Sequence, residues 1–282
     1  MEQSARNGLI AVIPVALLLL SGFALPLIFI IFTGLMPPRS FGLLEDPTLA
    51  NYRTILEEGY WRPIMWSLGF AIATTLVSLA LAWPIAKALV IHAGRFASVI
   101  SILIAVPVFI AESVRLFGAH LFLMPKGGIL AGTVNALLGI DIGSILFSPL
   151  ATLVGMIYIY LPFAIFPMTL GLSQVPPEQV EAAKDLGASG WQTVRNVELP
   201  IALPGILIGG LLVFVLALGA TAEAAILGGQ SVVVAVQSIE QRFNYAQDWP
   251  LGSALATVLC AITALVVFPL MRRLDIDRLF RR

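Results

Sequence analysis

From Leu9 to Leu35 the chain carries no charged residue, and this run limits the possible folds more than any other feature. A helix that crosses a bilayer needs about 20 mostly apolar residues, because the hydrocarbon core is roughly 30 Å thick. Five more stretches of this kind follow, at about 65–90, 97–123, 149–172, 204–227 and 251–271. With 59% hydrophobic and 11% charged residues and a mean hydropathy of +0.97, there are too few ionised groups to cover a water-facing globule, which ordinarily has about 25% charged residues. Disorder is excluded by the same numbers. The 16 basic and 16 acidic residues cancel, so no basic field exists for nucleic acid. A lone cysteine, Cys260, excludes a disulfide framework and reads as a small core hydrophobe of the last span. The expectation is an all-α integral membrane protein, a single domain over 1–282 with six transmembrane helices.

The first apolar run exceeds the roughly 7–15 residues of a signal-peptide core, and no small-residue cleavage site precedes Met36-Pro37-Pro38-Arg39. It therefore reads as a retained span. Pro14, Pro26, Pro84, Pro107, Pro162 and Pro167 fall within spans. Each lacks a backbone donor and kinks its helix unless neighbours re-satisfy the freed carbonyl. Curved helices around a cavity are one consequence, and ordinary membrane-helix tolerance is the other.

Lys and Arg positions orient the spans. With the N-terminus inside, ten basic residues lie inside (Arg6, Lys87, Arg95, Lys184, Arg195, Arg272, Arg273, Arg278, Arg281, Arg282). Five lie outside (Arg39, Arg53, Arg62, Lys126, Arg242), and Arg115 is intramembrane. Both termini are expected in the cytoplasm. The loop 173–203 departs from this trend. It is placed inside, yet Glu178, Glu181, Asp185 and Glu198 outnumber Lys184 and Arg195.

That loop encodes a helical hairpin. Pro176 and Pro177 open a helix where a missing amide costs nothing, and Glu178 and Glu181 suit its positive end. Val180, Ala182, Ala183 and Leu186 form an apolar stripe, and Gly187 terminates the helix. Ser189 and Gln192 have capping-box spacing for a second helix. Pro200 and Pro204 are expected to end that helix before the next span. The small residues Ala182, Ala183 and Gly187 permit close approach, either to the protein's own inner surface or to a partner.

The run Glu181-Ala182-Ala183, Gly187, Val197, Leu199-Pro200 resembles the cytoplasmic EAA loop of permease subunits of binding-protein-dependent ABC importers. Val197 stands where that pattern has Ile. Gly155-Met-Ile-Tyr-Ile-Tyr-Leu-Pro-Phe163 and Asp248-Trp249-Pro250 with Gly252 are similar to the first permease subunit of the spermidine/putrescine branch. Ala220-Thr221-Ala222-Glu223-Ala224-Ala225 departs from that branch, whereas Leu227-Gly228-Gly229 keeps the end of its run. The resemblance implies an inner-membrane permease that is not itself an enzyme. It implies pairing with a second permease chain or with a copy of itself, two subunits binding ATP and Mg, and an extracytoplasmic solute-binding protein. It also implies a coupling role for Glu181, Ala182, Ala183, Asp185 and Gly187. The chain itself has no phosphate-binding G-x-x-x-x-G-K-[ST] loop.

Three ionisable residues fall within the expected spans: Glu112, Arg115 and Glu223. A charge at mid-bilayer costs at least about 2.5–3.5 kcal/mol, so such residues face a partner or a wet pathway. Glu112 and Arg115 are three apart and share a helix face. They form either a structural ion pair or part of the solute pathway. Glu223, placed near the outer end of the fifth span, either attracts a cationic solute or is solvated at the interface. His92 reads as a loop residue, His120 lacks a second metal ligand at suitable spacing, and Gly127-Gly128 reads as a turn. A self-contained secondary transporter would also show intramembrane charges and broken helices, but it has no reason to carry an EAA hairpin. A membrane enzyme would need a cluster of His, Asp or Glu that this sequence lacks. A polyamine would want several carboxylates and aromatic faces in its path. Glu112 and Glu223, one with Arg115 beside it, fit a zwitterionic or amino-bearing solute such as an opine-like molecule at least as well as a polyamine.

Overall fold

The computed structural model describes residues 13–40, 42, 46–125, 128–139, 144–229 and 231–273. The first four residues of the opening apolar run, Arg6, Lys126, Gly127 and the basic tail with Arg278, Arg281 and Arg282 lie outside the described residues.

Among the described residues there are helices and no strands. The first span, α1, covers Ile13–Gly34. A wider π turn at Leu20–Ala24 precedes Pro26 in this helix, a usual way to absorb a residue without an amide. A short helix α2 follows at Ala50–Glu57, then α3 at Trp61–Ile91, which continues through Pro84.

The third apolar segment, expected as one helix over 97–123, is broken. Helix α4, Ala97–Ala105, tightens into a 3₁₀ turn at Val106–Phe109 containing Pro107. Ile110 and Ala111 are then extended (ψ 136° and 135°). Helix α5, Glu112–Leu123, leaves at 99° to the preceding arm, Gly94–Phe109. Pro107 supplies no amide for the ladder, and the extended pair turns the chain.

Helix α6 is Ile129–Leu138 and α7 is Pro149–Leu172, started by the Ser148 side chain and uninterrupted by Pro162 or Pro167. Helix α8 is Pro177–Asp185. The fifth span also differs from expectation. Helix α9 runs Gly190–Leu218 instead of 204–227, and Pro200 and Pro204 lie inside it. A π turn at Val194–Glu198, closed by the Leu199 amide on the Val194 carbonyl, directly precedes Pro200 and lets the helix pass. Short α10, Ala222–Ile226, follows a break at Gly219. Then come α11, Ala235–Asn244, and α12, Trp249–Arg273, continuous through Pro269. Among the described residues five helices are long and apolar enough to span a membrane, or six if the bent α4–α5 pair is one span.

Two compact units emerge, 1–62 with 235–262, and 63–234 with 263–282. In the first, Asn51 is buried and its Nδ2 donates to the carbonyls of Gly34 (3.1 Å) and Met36 (2.7 Å). Carbonyls left over at the end of α1 are thereby satisfied. A Cβ on Gly34 would lie 3.1 Å from the Ala254 backbone, so the two chain segments touch through glycine. Cys260 on α12 is exposed, not buried in a core.

In the second unit α7 and α9 pack backbone against backbone. A Cβ on Gly205 would strike the Pro167 carbonyl and come within 2.8 Å of Gly171 Cα; one on Gly209 would sit 3.1 Å from the Ala164 carbonyl. Small residues let membrane helices gain dispersion contacts where lipid gives no hydrophobic drive.

Candidate functional site

The bend between α4 and α5 sets up the polar interior of the second unit. Glu112 sits in the first turn of α5, where the helix dipole favours an anion. Arg115 lies one turn further on, half-buried, with a buried Nε that has no hydrogen-bond partner. The two do not pair. Among the described residues the ion pairs are Arg53–Glu57 at 2.6 Å and Lys87–Glu198 at 2.7 Å.

Glu223 is displaced from its expected place. It lies on α10, beyond the end of the fifth span, and is 0% exposed rather than solvated at an interface. Neither carboxylate oxygen has a hydrogen-bond partner. Burial pushes its carboxyl above the usual range; Tyr160 and Arg115 oppose that shift and Glu112 adds to it. Glu112, Arg115 and Glu223 thus influence one another electrostatically, as a node that also includes Tyr160 of α7. Tyr160 lies in the Gly155–Phe163 stretch, where its alternation with apolar residues gives no sign of a polar role.

The node is held by its neighbours. His120 Nδ1 lies 3.1 Å from the Ile226 carbonyl, tying α5 to the end of α10. The Phe147 amide donates to the Leu227 carbonyl at 2.7 Å. Leu227-Gly228-Gly229 then lies tight on α7: a Cβ on Gly155 would strike Leu227, and one on Gly228 would strike Thr152. Gly229 has φ +62°.

The hairpin forms as its local chemistry dictates. The amide of Ala188 reaches the Ala183 carbonyl (3.0 Å) and that of Gly187 the Lys184 carbonyl (2.9 Å), with Gly187 at φ +83°. This double bond with a left-handed glycine is a common helix stop. Ser189 and Gln192 make the reciprocal capping box. The expected apolar stripe is only partly covered. Val180 and Ala183 are half-buried, while Leu186 is 90% exposed and Trp191 72% exposed. Glu181, Ala182, Asp185 and Gly187 are exposed as well. Beside the hairpin, Trp83, Met168, Trp191 and Arg195 help line an apolar groove of about 450 Å³.

Residues 94–281 match the family described as binding-protein-dependent transport system inner membrane component. The chain belongs to that family. The permease is 30% identical over 225 residues to the spermidine/putrescine transport system permease protein PotB of Escherichia coli K12, covering 78% of this chain and 80% of the relative. It is 30% identical over 227 residues to PotB of Haemophilus influenzae, covering 78% and 77%. Its fold matches that of a bacterial ABC transporter involved in the import of the acidic polysaccharide alginate, with TM-score 0.77, 16% identity and 99% of both chains covered. It is thus an ABC importer permease of the PotB type, and the reading as a self-contained secondary transporter falls.

Proposed function

We propose that this permease and a second permease chain enclose the path of a polyamine or similar organic amine across the inner membrane. ATP hydrolysis in two separate ATP-binding subunits drives the cycle. The hairpin 173–203 faces the cytoplasm and docks one of them through Glu181, Ala182, Ala183, Asp185 and Gly187. An extracytoplasmic binding protein delivers the solute. Glu112, Arg115 and Glu223 line the path. Both termini are cytoplasmic.

The observation that carries this reading is the buried Glu223 carboxyl with both oxygens unpartnered. A protonated amine is a complementary partner for such a group, to which it can donate. Likeness to spermidine/putrescine permeases supports the same class of solute. The test is uptake of radiolabelled spermidine by vesicles holding the complete transporter and its binding protein. ATP-dependent uptake competed by putrescine is expected. Uptake of an acidic or neutral solute in preference to every amine would sink the assignment.

A further inference from the structure

We infer that Lys87 and Glu198 form a positioning pair that carries hairpin movement into the membrane helices, a reading that rests on the hairpin being the ATPase dock. Lys87 lies near the end of α3, and its Nζ is 2.8 Å from one Glu198 oxygen and 2.7 Å from the other. The Glu198 side chain is 6% exposed and that of Lys87 29%. Of the four acids in the loop, Glu178, Glu181 and Asp185 are exposed, and Glu198 alone is buried. The excess negative charge of this loop thus divides into a solvated set on the hairpin and one carboxylate turned toward α3.

The location of the pair gives it a mechanical role. Glu198 is the last residue of the π turn Val194–Glu198, which joins the opening turn of α9 in the hairpin to the long apolar run of the same helix. A π turn is a widened, locally weakened piece of helix, often found at functional positions. Force applied to the hairpin would be absorbed there by bending. The ion pair fastens the far side of the turn to α3, which joins two helices whose paired residues are 111 positions apart. A pair with one buried partner resists separation, since parting it leaves the buried Glu198 carboxylate uncompensated. Pushing the hairpin then moves α3 and α9 together.

The experiment uses the complete transporter in vesicles, with radiolabelled spermidine as probe; if the wild-type complex moves another amine, that amine replaces it. Lys87→Gln, Glu198→Gln and the exchange Lys87→Glu with Glu198→Lys are compared for bound ATPase subunit, ATP hydrolysis and uptake per ATP hydrolysed. Both single variants are expected to retain the ATPase subunits while uptake per ATP falls at least tenfold. The exchange is expected to restore at least half of it. The inference is overturned if the single variants keep wild-type uptake per ATP, including the case in which only the yield of folded protein drops. It is also overturned if they shed the ATPase subunits, or if the exchange restores nothing. Gly187→Arg tests the underlying reading separately: a complex that keeps its ATPase subunits and full transport with that variant would remove the dock and leave the pair a purely local brace.

Discussion

Glu223 concentrates the energetic tension of this protein in one side chain. Burial raises its proton affinity above that of a free carboxyl, and Tyr160 opposes that rise only in part. The sign of the resulting pH dependence follows. Above the ordinary value of 4.5 the unfolded chain ionises while the folded one still holds its proton, so stability falls as pH rises through the interval up to the raised folded value. Glu223→Gln keeps the shape and removes the titration. The variant is expected to be more stable at neutral pH, because a buried Gln amide needs neither to take up a proton nor to carry a charge there. The gain should vanish as pH falls toward 4.5. Melting curves of wild type and variant across that range provide the check, and parallel pH profiles would show that the carboxyl has a compensating partner.

At the scale of elements, the contact between α7 and α9 is the most demanding. Gly171, Gly205 and Gly209 stand where any Cβ meets backbone atoms of the facing helix, and backbone cannot rotate away as a side chain can. Overpacking of a well-filled contact costs about 1–3 kcal/mol or more. Gly205→Ala should therefore lower the melting temperature measurably, and Gly205→Leu should abolish folded protein in a detergent-solubility assay. Gly118 meets nothing within 4 Å on the same test, so Gly118→Ala should be silent or mildly stabilising through helix propensity. Equal losses at Gly205 and Gly118 would refute the close-packing account. The same contact explains why α9 continues straight through Pro200 and Pro204: the π turn ahead of Pro200 takes up the defect and leaves the packed face in register.

Over the whole molecule, the distribution of cations along the chain and the five long helices plus one bent pair make a topological prediction. A reporter fused after Arg282 should be cytoplasmic, and one inserted beside Glu57, exposed on α2, should face outside. If both reporters lie on the same side, one span has been miscounted. The bent α4–α5 segment is where such an error would arise, because a re-entrant turn and a crossing helix share length and composition. The apolar run 97–123 contains Pro107, but a proline inside a run of this hydropathy is compatible with either outcome. Pro84, Pro162 and Pro167 leave their helices continuous, and the outcome at Pro107 depends on what the flanking residues pack against.

That the chain holds five or six apolar spans was legible in the sequence because about 20 uncharged apolar residues are a local property that a bilayer selects directly. The hairpin was legible for a similar reason. The helix opening at Pro177, the left-handed stop at Gly187 and the Ser189–Gln192 box each involve residues within a few positions of one another. Long-range facts were not. A charge in an apolar segment announces that it needs an environment, but its position does not say which one. Spacing left Glu112 and Arg115 either to pair or to face a pathway, and the structure shows no ion pair between them, while Lys87 meets a carboxylate 111 positions away. Glu223 read as a residue near the outer end of the fifth span, there to attract a cationic solute or to be solvated, because that span was placed too late in the chain. Only tertiary packing ended α9 at Leu218, folded α10 inward and closed the protein around that side chain. Burial is a property of surfaces brought together from distant parts of the chain, and only the folded structure brings them together.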